Sequence, residues 1–202
     1  MKPDGAGRRI VSISLPQLAM ERWQRMRERA GHAIAPDVPF ALVTEGPHGP
    51  VVHDVNRAAI TAGIRAGRRV VDMRALCPEL QVDYADPMGD AKALERLSLW
   101  ARRWCPWTRV DGDTGLILDT TGSDHLIGGE TEMLARMEAE LSGLGLTAQL
   151  AVAPTWGTAW ALARFGPVRA ICHPGEMAVI LGRLPTAALR LGGETTLMLW
   201  RL

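Results

Sequence analysis

The chain has 202 residues, 47% hydrophobic and 22% charged, enough for one sizeable core or two small ones in an ordinary globular composition. No apolar run reaches the roughly 18–20 residues that span a bilayer, and no signal-like apolar stretch follows Met1–Gly7, so a cytoplasmic location is expected. A net charge of +1 excludes the global basic footprint of a tight nucleic-acid binder.

In chain order, Arg8–Ser14 reads as a short, buried, β-branched strand after a disordered tail at residues 1–7. Pro16 suits a first helical turn, and Leu18, Met20, Trp23 and Met26 give a helical face that ends near Gly31. Phe40–Thr44 and Val51–Val55 flank the turn-rich Gly46–Pro50 and predict a hairpin. Asn56 caps a short helix through Ala62, and a second short helix fits Val70–Leu76 before Pro78. Met88–Trp104 is a long amphipathic helix, followed by short strands at Trp107–Val110 and Leu116–Asp119 around the turn at Asp111–Gly115. Glu130–Leu144 is a helix, Leu146–Val152 a strand and Thr155–Phe165 a helix after Pro154. The tail from Val168 reads as a short strand and small helices. Together these predict an α+β fold, a small mixed sheet with helices on one face. Residues 36–84 look like an inserted, mostly helical segment.

Metal-ligand patterns are weak. Cys77, Cys105 and Cys172 are far apart, with no CxxC pair, and Cys172 and His173, adjacent on a strand, point to opposite faces. The basic residues are nearly all arginine and cluster at Arg22–Arg29, Arg65–Arg74 and Arg102–Arg109. Guanidinium forks match phosphate oxygens, but solvated helix faces account for such clusters more simply. Trp100, Trp104 and Trp107 run with Leu94 and Leu97, which predicts core packing. Gly128-Gly-Glu130 reads as a tight turn into a helix, with Glu130 favouring its dipole. His53 and His125 read as packed or surface histidines.

Several segments, taken in order, resemble Y-family translesion DNA polymerases: Gly63-Ile-Arg-Ala-Gly67, Cys77-Pro-Glu-Leu80, Leu118-Asp-Thr-Thr-Gly122 and His125-Leu-Ile-Gly-Gly-Glu130. Trp160-Ala-Leu-Ala-Arg164 and Leu184–Leu189 extend the pattern. Within that family it is most similar to the ImuB type, the polymerase-like member of a bacterial mutasome. The resemblance implies a Y-family polymerase-like palm, a ferredoxin-like mixed sheet, from residues 8–30 and 85–167. It also implies small fingers at 31–84 and the start of a helical thumb at 168–202. The rest of the thumb, a little finger and a sliding-clamp motif are expected beyond Leu202.

Polymerase phosphoryl transfer uses two Mg²⁺ ions about 4 Å apart, held by oxygen ligands, chiefly carboxylates. The resemblance puts the family's first aspartate on Ser14 and its Asp-Glu pair on Thr114 and Gly115. It puts the sugar gate on Ala19, the triphosphate-gripping Tyr and Arg on Arg57 and Ile60, and a phosphate-contacting lysine on or beside Trp156. None of these residue types does the family's chemistry, so no metal or cofactor is expected and the chain is not expected to be an enzyme. Trp156 and Trp160, one helical turn apart near the cleft, read as a plug or as core, with base stacking as the rival.

The resemblance then implies a non-catalytic adaptor in damage-induced mutagenesis and translesion synthesis, nucleoid-associated when acting. Its partners would be a RecA-like accessory protein (ImuA type), an error-prone DnaE-type polymerase and the sliding clamp. DNA contacts by this stretch are expected to be weak, with Arg65, Arg68 and Arg69 as candidates. Two alternatives stand beside it. One is an active polymerase using Asp111, Asp113 or Asp119 as displaced ligands; the other is an unrelated ferredoxin-like protein binding a small molecule.

Overall fold

The run Ile-Val-Ser-Ile-Ser forms strand β1 (Ile10–Ser14), buried along its whole length. In this computed structural model residues 7–190 are described. The remainder of the expected tail and positions 191–202 of the expected thumb segment lie outside them. Contacts divide the chain into two units, one from the segments up to Pro16 and from Ala93 onward, the other from Gln17–Lys92.

In the first unit β1 is the middle strand of five. Its companions are β5 (Thr108–Val110), β6 (Gly115–Asp119), β7 (Gln149–Ala153) and β8 (Ala170–Ile171), in the order β5-β6-β1-β7-β8. Strand β1 runs antiparallel to β6 and β7, with Ser14 opposite both Gly115 and Gln149. Ile10, Ala151 and Ala153 pack against Ala159, Leu162 and Ala163 of helix α6 (Trp156–Phe165). Alternation sends Val11, Ile13, Leu116, Leu118, Leu150 and Val152 to the opposite face, and these too are fully buried. Helix α5 (Glu130–Gly143), which contacts β7, buries Met133, Leu134, Met137 and Leu141. Helices therefore cover both faces, not one as expected. The small side chains of α6 let it lie close against the alanines of β7. The tail holds β8, helix α7 (Met177–Leu181) and 3₁₀ turns at Pro174–Glu176 and Thr186–Leu189.

A buried ion pair ties this unit together. Arg9, just before β1, grips Glu130 at the start of α5 through two nitrogens, and its third donates to the Cys172 carbonyl at 2.8 Å. Both side chains are under 15% exposed. Gly128 and Gly129 have φ of +87° and +94°, a left-handed pair that side-chain-bearing residues adopt only with strain. The turn aims Glu130 at Arg9 as well as placing it in the first turn of α5.

Within the second unit, residues 36–84 are not mostly helical as expected. Strands β2 (Phe40–Thr44), β3 (Val51–Val55) and β4 (Gln81–Tyr84) form a sheet in the order β3-β2-β4. The hairpin of β2 and β3 matches expectation, whereas β4 joins β2 in parallel. Strand β4 escapes sequence reading because Gln81-Val-Asp-Tyr84 has one aliphatic residue and two half-buried positions. Helices α1 (Leu18–Arg29), α2 (Arg57–Thr61) and α3 (Val70–Leu76) fall where the periodicity predicts. Asn56 accepts from the Ala59 and Phe40 N–H groups while its amide donates to the Val38 carbonyl, so one side chain caps α2 and anchors β2. Trp23 of α1 stacks on Phe40 at 4.2 Å, and its indole N–H donates to Asp83. The division between units falls inside helix α4 (Pro87–Ala101). Among the described residues no helix is long and apolar enough to cross a membrane.

Removing one partner of a buried ion pair leaves the other charge unmatched, at a cost of about 3–5 kcal/mol. Glu130→Ala is therefore expected to lower unfolding free energy by about that amount in urea titrations, and Glu130→Gln by less.

Candidate functional site

The expected acid positions lie at one end of β1 and in the β5–β6 hairpin. Ser14 is the last residue of β1 and is buried; Thr114 and Gly115 close the hairpin turn. The Leu15 N–H donates to the Thr114 carbonyl at 2.7 Å, and the Asp111 N–H to the Gly115 carbonyl at 2.8 Å. The structure thus brings Ser14, Thr114 and Gly115 together. Their side chains offer two hydroxyls and no carboxylate, which does not suit Mg²⁺.

Gly115 is also crowded. A Cβ there would stand 2.8 Å from Arg164 Nη2, 2.8 Å from the Asp111 carbonyl and 3.2 Å from the Ile13 carbonyl. The hairpin backbone and a guanidinium have closed over the position. Helix α6 delivers that guanidinium from its last turn. It is half-buried, and its Nη1 is shut from solvent with no hydrogen-bond partner. Burial pulls the Arg164 pKa below the ordinary arginine range; Asp111 opposes this and Arg190 reinforces it. Arginine nevertheless keeps its charge.

Asp111 is the counter-charge. It is 5% exposed; one oxygen accepts from the Trp156 indole N–H at 3.4 Å and the other from Arg190 Nη2 at 3.3 Å. The Arg190 guanidinium lies 4.7 Å from both the Trp156 and Trp160 rings, and that of Arg164 lies 4.5 Å from Trp160. Trp156, 43% exposed, is thus neither free for stacking nor wholly core. It shares with Trp160 a closed cluster of two guanidiniums, two indoles and one carboxylate.

The acids of the displaced-ligand alternative sit in different surroundings. Asp111 is engaged as above, and Asp113 is exposed at the turn. Asp119 accepts from Thr121 Oγ1 at 2.6 Å and from Arg8 at 3.1 Å, which makes it the structural acid of the Leu118–Gly122 segment. Among the described residues no three His, Cys, Asp or Glu side chains converge as a metal site. Cys172 is buried and His173 exposed, and His53 and His125 are exposed.

In the second unit, Ala19 packs against the Met20, Trp23, Phe40 and Leu42 cluster, and Arg57 and Ile60 are exposed on α2. Arg65 donates to the Ile60 and Ile64 carbonyls, and Arg69 forks onto Asp72. Arg68 is exposed and attracts Asp72 through space.

Trp107 departs from its expected core place. Trp104 is buried, but Trp107 is 74% exposed, because α4 ends at Ala101 and Trp107 follows the break at Pro106. It borders a groove of about 290 Å³ shared with Arg8, Ile10, Arg109, Ile117 and Trp156. Sequence reading missed Arg164 and Arg190 as site residues. The Trp160–Arg164 spacing of one helical turn was the available signal for the first; nothing in the sequence signals the second.

This architecture is that of Y-family polymerases. The chain superposes on the crystal structure of DinB from Sulfolobus solfataricus with a TM-score of 0.74 at 16% identity, covering 96% of this chain and 57% of that one. An insertion ternary complex of Dbh DNA polymerase gives 0.74 at 14% identity, covering 89% and 53%. Residues 27–164 match the impB/mucB/samB family, and the chain belongs to that family. It is 47% identical over 140 residues to Protein ImuB of Caulobacter vibrioides, in strains NA1000 / CB15N and ATCC 19089 / CIP 103742 / CB 15. The aligned region is 69% of this chain but 31% of those relatives. The family match replaces the alternative of an unrelated small-molecule-binding fold.

Two outcomes follow from the charges. Asp111→Ala, which leaves Arg190 and the Trp156 indole N–H without their acceptor, is expected to lower stability by about 2 kcal/mol, less than for a wholly buried pair because Arg190 is partly exposed. Burial alone would raise the Asp119 pKa, but hydrogen bonds from Thr121 and Arg8 outweigh it and hold the carboxyl below its ordinary value. A depressed folded pKa means stability present above the unfolded value of about 3.9 and lost as pH falls through the folded one. Urea midpoints between pH 5 and pH 3 should therefore drop less in Asp119→Asn than in the native chain.

Proposed function

We propose that the chain is the polymerase-like part of a non-catalytic adaptor in damage-induced mutagenesis and translesion DNA synthesis, one that recruits or organises an error-prone polymerase. The observation that carries this reading is the hairpin at Ser14, Thr114 and Gly115. The Y-family resemblance assigns metal-binding carboxylates there, and this chain offers hydroxyls and a glycine whose Cβ position is obstructed. Two-metal phosphoryl transfer depends on ions that coordinate and clamp the attacking and leaving oxygens. The Arg164 guanidinium beside Gly115 has no coordination sites with which to do so.

In this reading the partners are a RecA-like accessory protein, a DnaE-type polymerase and the sliding clamp. Nucleic-acid contact is secondary. Arg65 and Arg69 are engaged within their own unit, which leaves Arg68 and the groove bordered by Trp107, Arg8 and Arg109 as the surfaces suited to it, the groove by stacking beside positive charge.

Primer extension with purified protein, Mg²⁺ or Mn²⁺ and four nucleotides tests the central claim. No template-directed incorporation is expected. Incorporation abolished by Asp111→Ala, Asp113→Ala or Asp119→Ala would instead favour the displaced-ligand polymerase. Fluorescence anisotropy with primer–template DNA should give a Kd no tighter than about 1 µM at physiological salt. Pull-downs against each partner separate recruitment from DNA binding.

A further inference from the structure

The site does more than lack acids. Three independent features of the hairpin end converge on Arg164. Its Nη2 stands 2.8 Å from where a Gly115 Cβ would be. Its Nη1 is buried with no acceptor. Its guanidinium packs over the Trp160 ring at 4.5 Å, while the buried Asp111, which attracts it through space, is bonded to Arg190. Ser14 lies directly across the ladder from Gly115, and Thr114 precedes it. The guanidinium thus occupies ground beside the positions to which the resemblance assigns carboxylates.

We propose that Arg164 is a resident cation standing in a divalent metal's place, so that carboxylates returned to positions 14, 114 and 115 would pair with its guanidinium and gather no metal ion. A fixed monovalent cation a few ångströms away repels an incoming divalent one. Its buried unpaired Nη1 is the natural partner for any carboxylate built nearby, since an unmatched donor shut from water is costly. The obstruction is therefore an active exclusion, distinct from simple ligand loss, and it makes Arg164 a residue that determines cation specificity. The inference rests on the non-catalytic reading only in the choice of positions. Metal binding by variants is measured independently of whether the native chain extends a primer.

The test follows Mn²⁺ binding by loss of the free-ion EPR signal, on the full 202-residue chain. Ser14→Asp with Thr114→Asp is compared in the presence of Arg164 and with Arg164→Gln, which keeps much of the length and polarity but not the charge. The expected result is no gain in Mn²⁺ binding over the native chain while Arg164 is present. With Arg164→Gln, binding should be at least about tenfold tighter, because a unit charge about 4 Å away opposes the ion even at an effective dielectric of ~20. Arg164→Lys, which restores a cation, should abolish that gain. Because Ser14 is buried, Thr114→Asp alone, with and without Arg164→Gln, repeats the comparison at a half-buried position. Circular dichroism melts confirm that each protein compared is folded. Equal Mn²⁺ affinity with Arg164 present or replaced by glutamine, in either series, would overturn the proposal, as would a clear gain in binding with Arg164 intact.

Discussion

A carboxylate shut away from water has to be neutralised where it stands, and the one at Asp111 organises the end of the palm-like sheet. Its demand for positive charge accounts for Arg190 reaching it from beyond the last 3₁₀ turn, and it attracts Arg164, which lies over the hairpin. The indole N–H of Trp156 takes one of its oxygens. The indole faces of Trp156 and Trp160 then shelter the guanidiniums, an arrangement that favours cations even as they lose water. What looks in sequence like two stray tryptophans and a spare aspartate is one electrostatic unit.

The same logic recurs at the other end of β1, where Arg9 neutralises Glu130 and satisfies the Cys172 carbonyl. Arginine suits both places because its planar fork serves several acceptors at once and is less strongly hydrated than an ammonium. A composition with two lysines among 23 basic residues is consistent with that use. The clusters at Arg65 and Arg69 follow suit, their donors directed to backbone carbonyls and to Asp72. Local arginine density therefore reports internal bonding here at least as much as affinity for phosphate.

Much of this is legible in the sequence. Ile10–Ser14, Phe40–Thr44, Asn56 as a cap and the helix from Glu130 each carry a local signature, and the structure places them accordingly. Strand β4 is not legible because its partner β2 is some forty positions away and its own four residues lack an apolar face. Trp107 misleads because helical spacing continues on paper past Ala101, where α4 in fact ends and turns lead to Pro106. The triad of Ser14, Thr114 and Gly115 can be named from resemblance, but not what fills the space beside it. Arg164 is fifty positions from Thr114, and only the fold makes them neighbours.

The crowding at Gly115 has a corollary for substitution. A side chain cannot fit there until the Asp111 and Ile13 carbonyls and the Arg164 guanidinium move, and Arg164 lies in turn over the Trp160 ring at 4.5 Å. An acidic side chain at 115 is thus disfavoured unless its neighbours shift as well. Substitutions at 115 and 164 are therefore coupled: a side chain at the first is better tolerated once the second has been shortened.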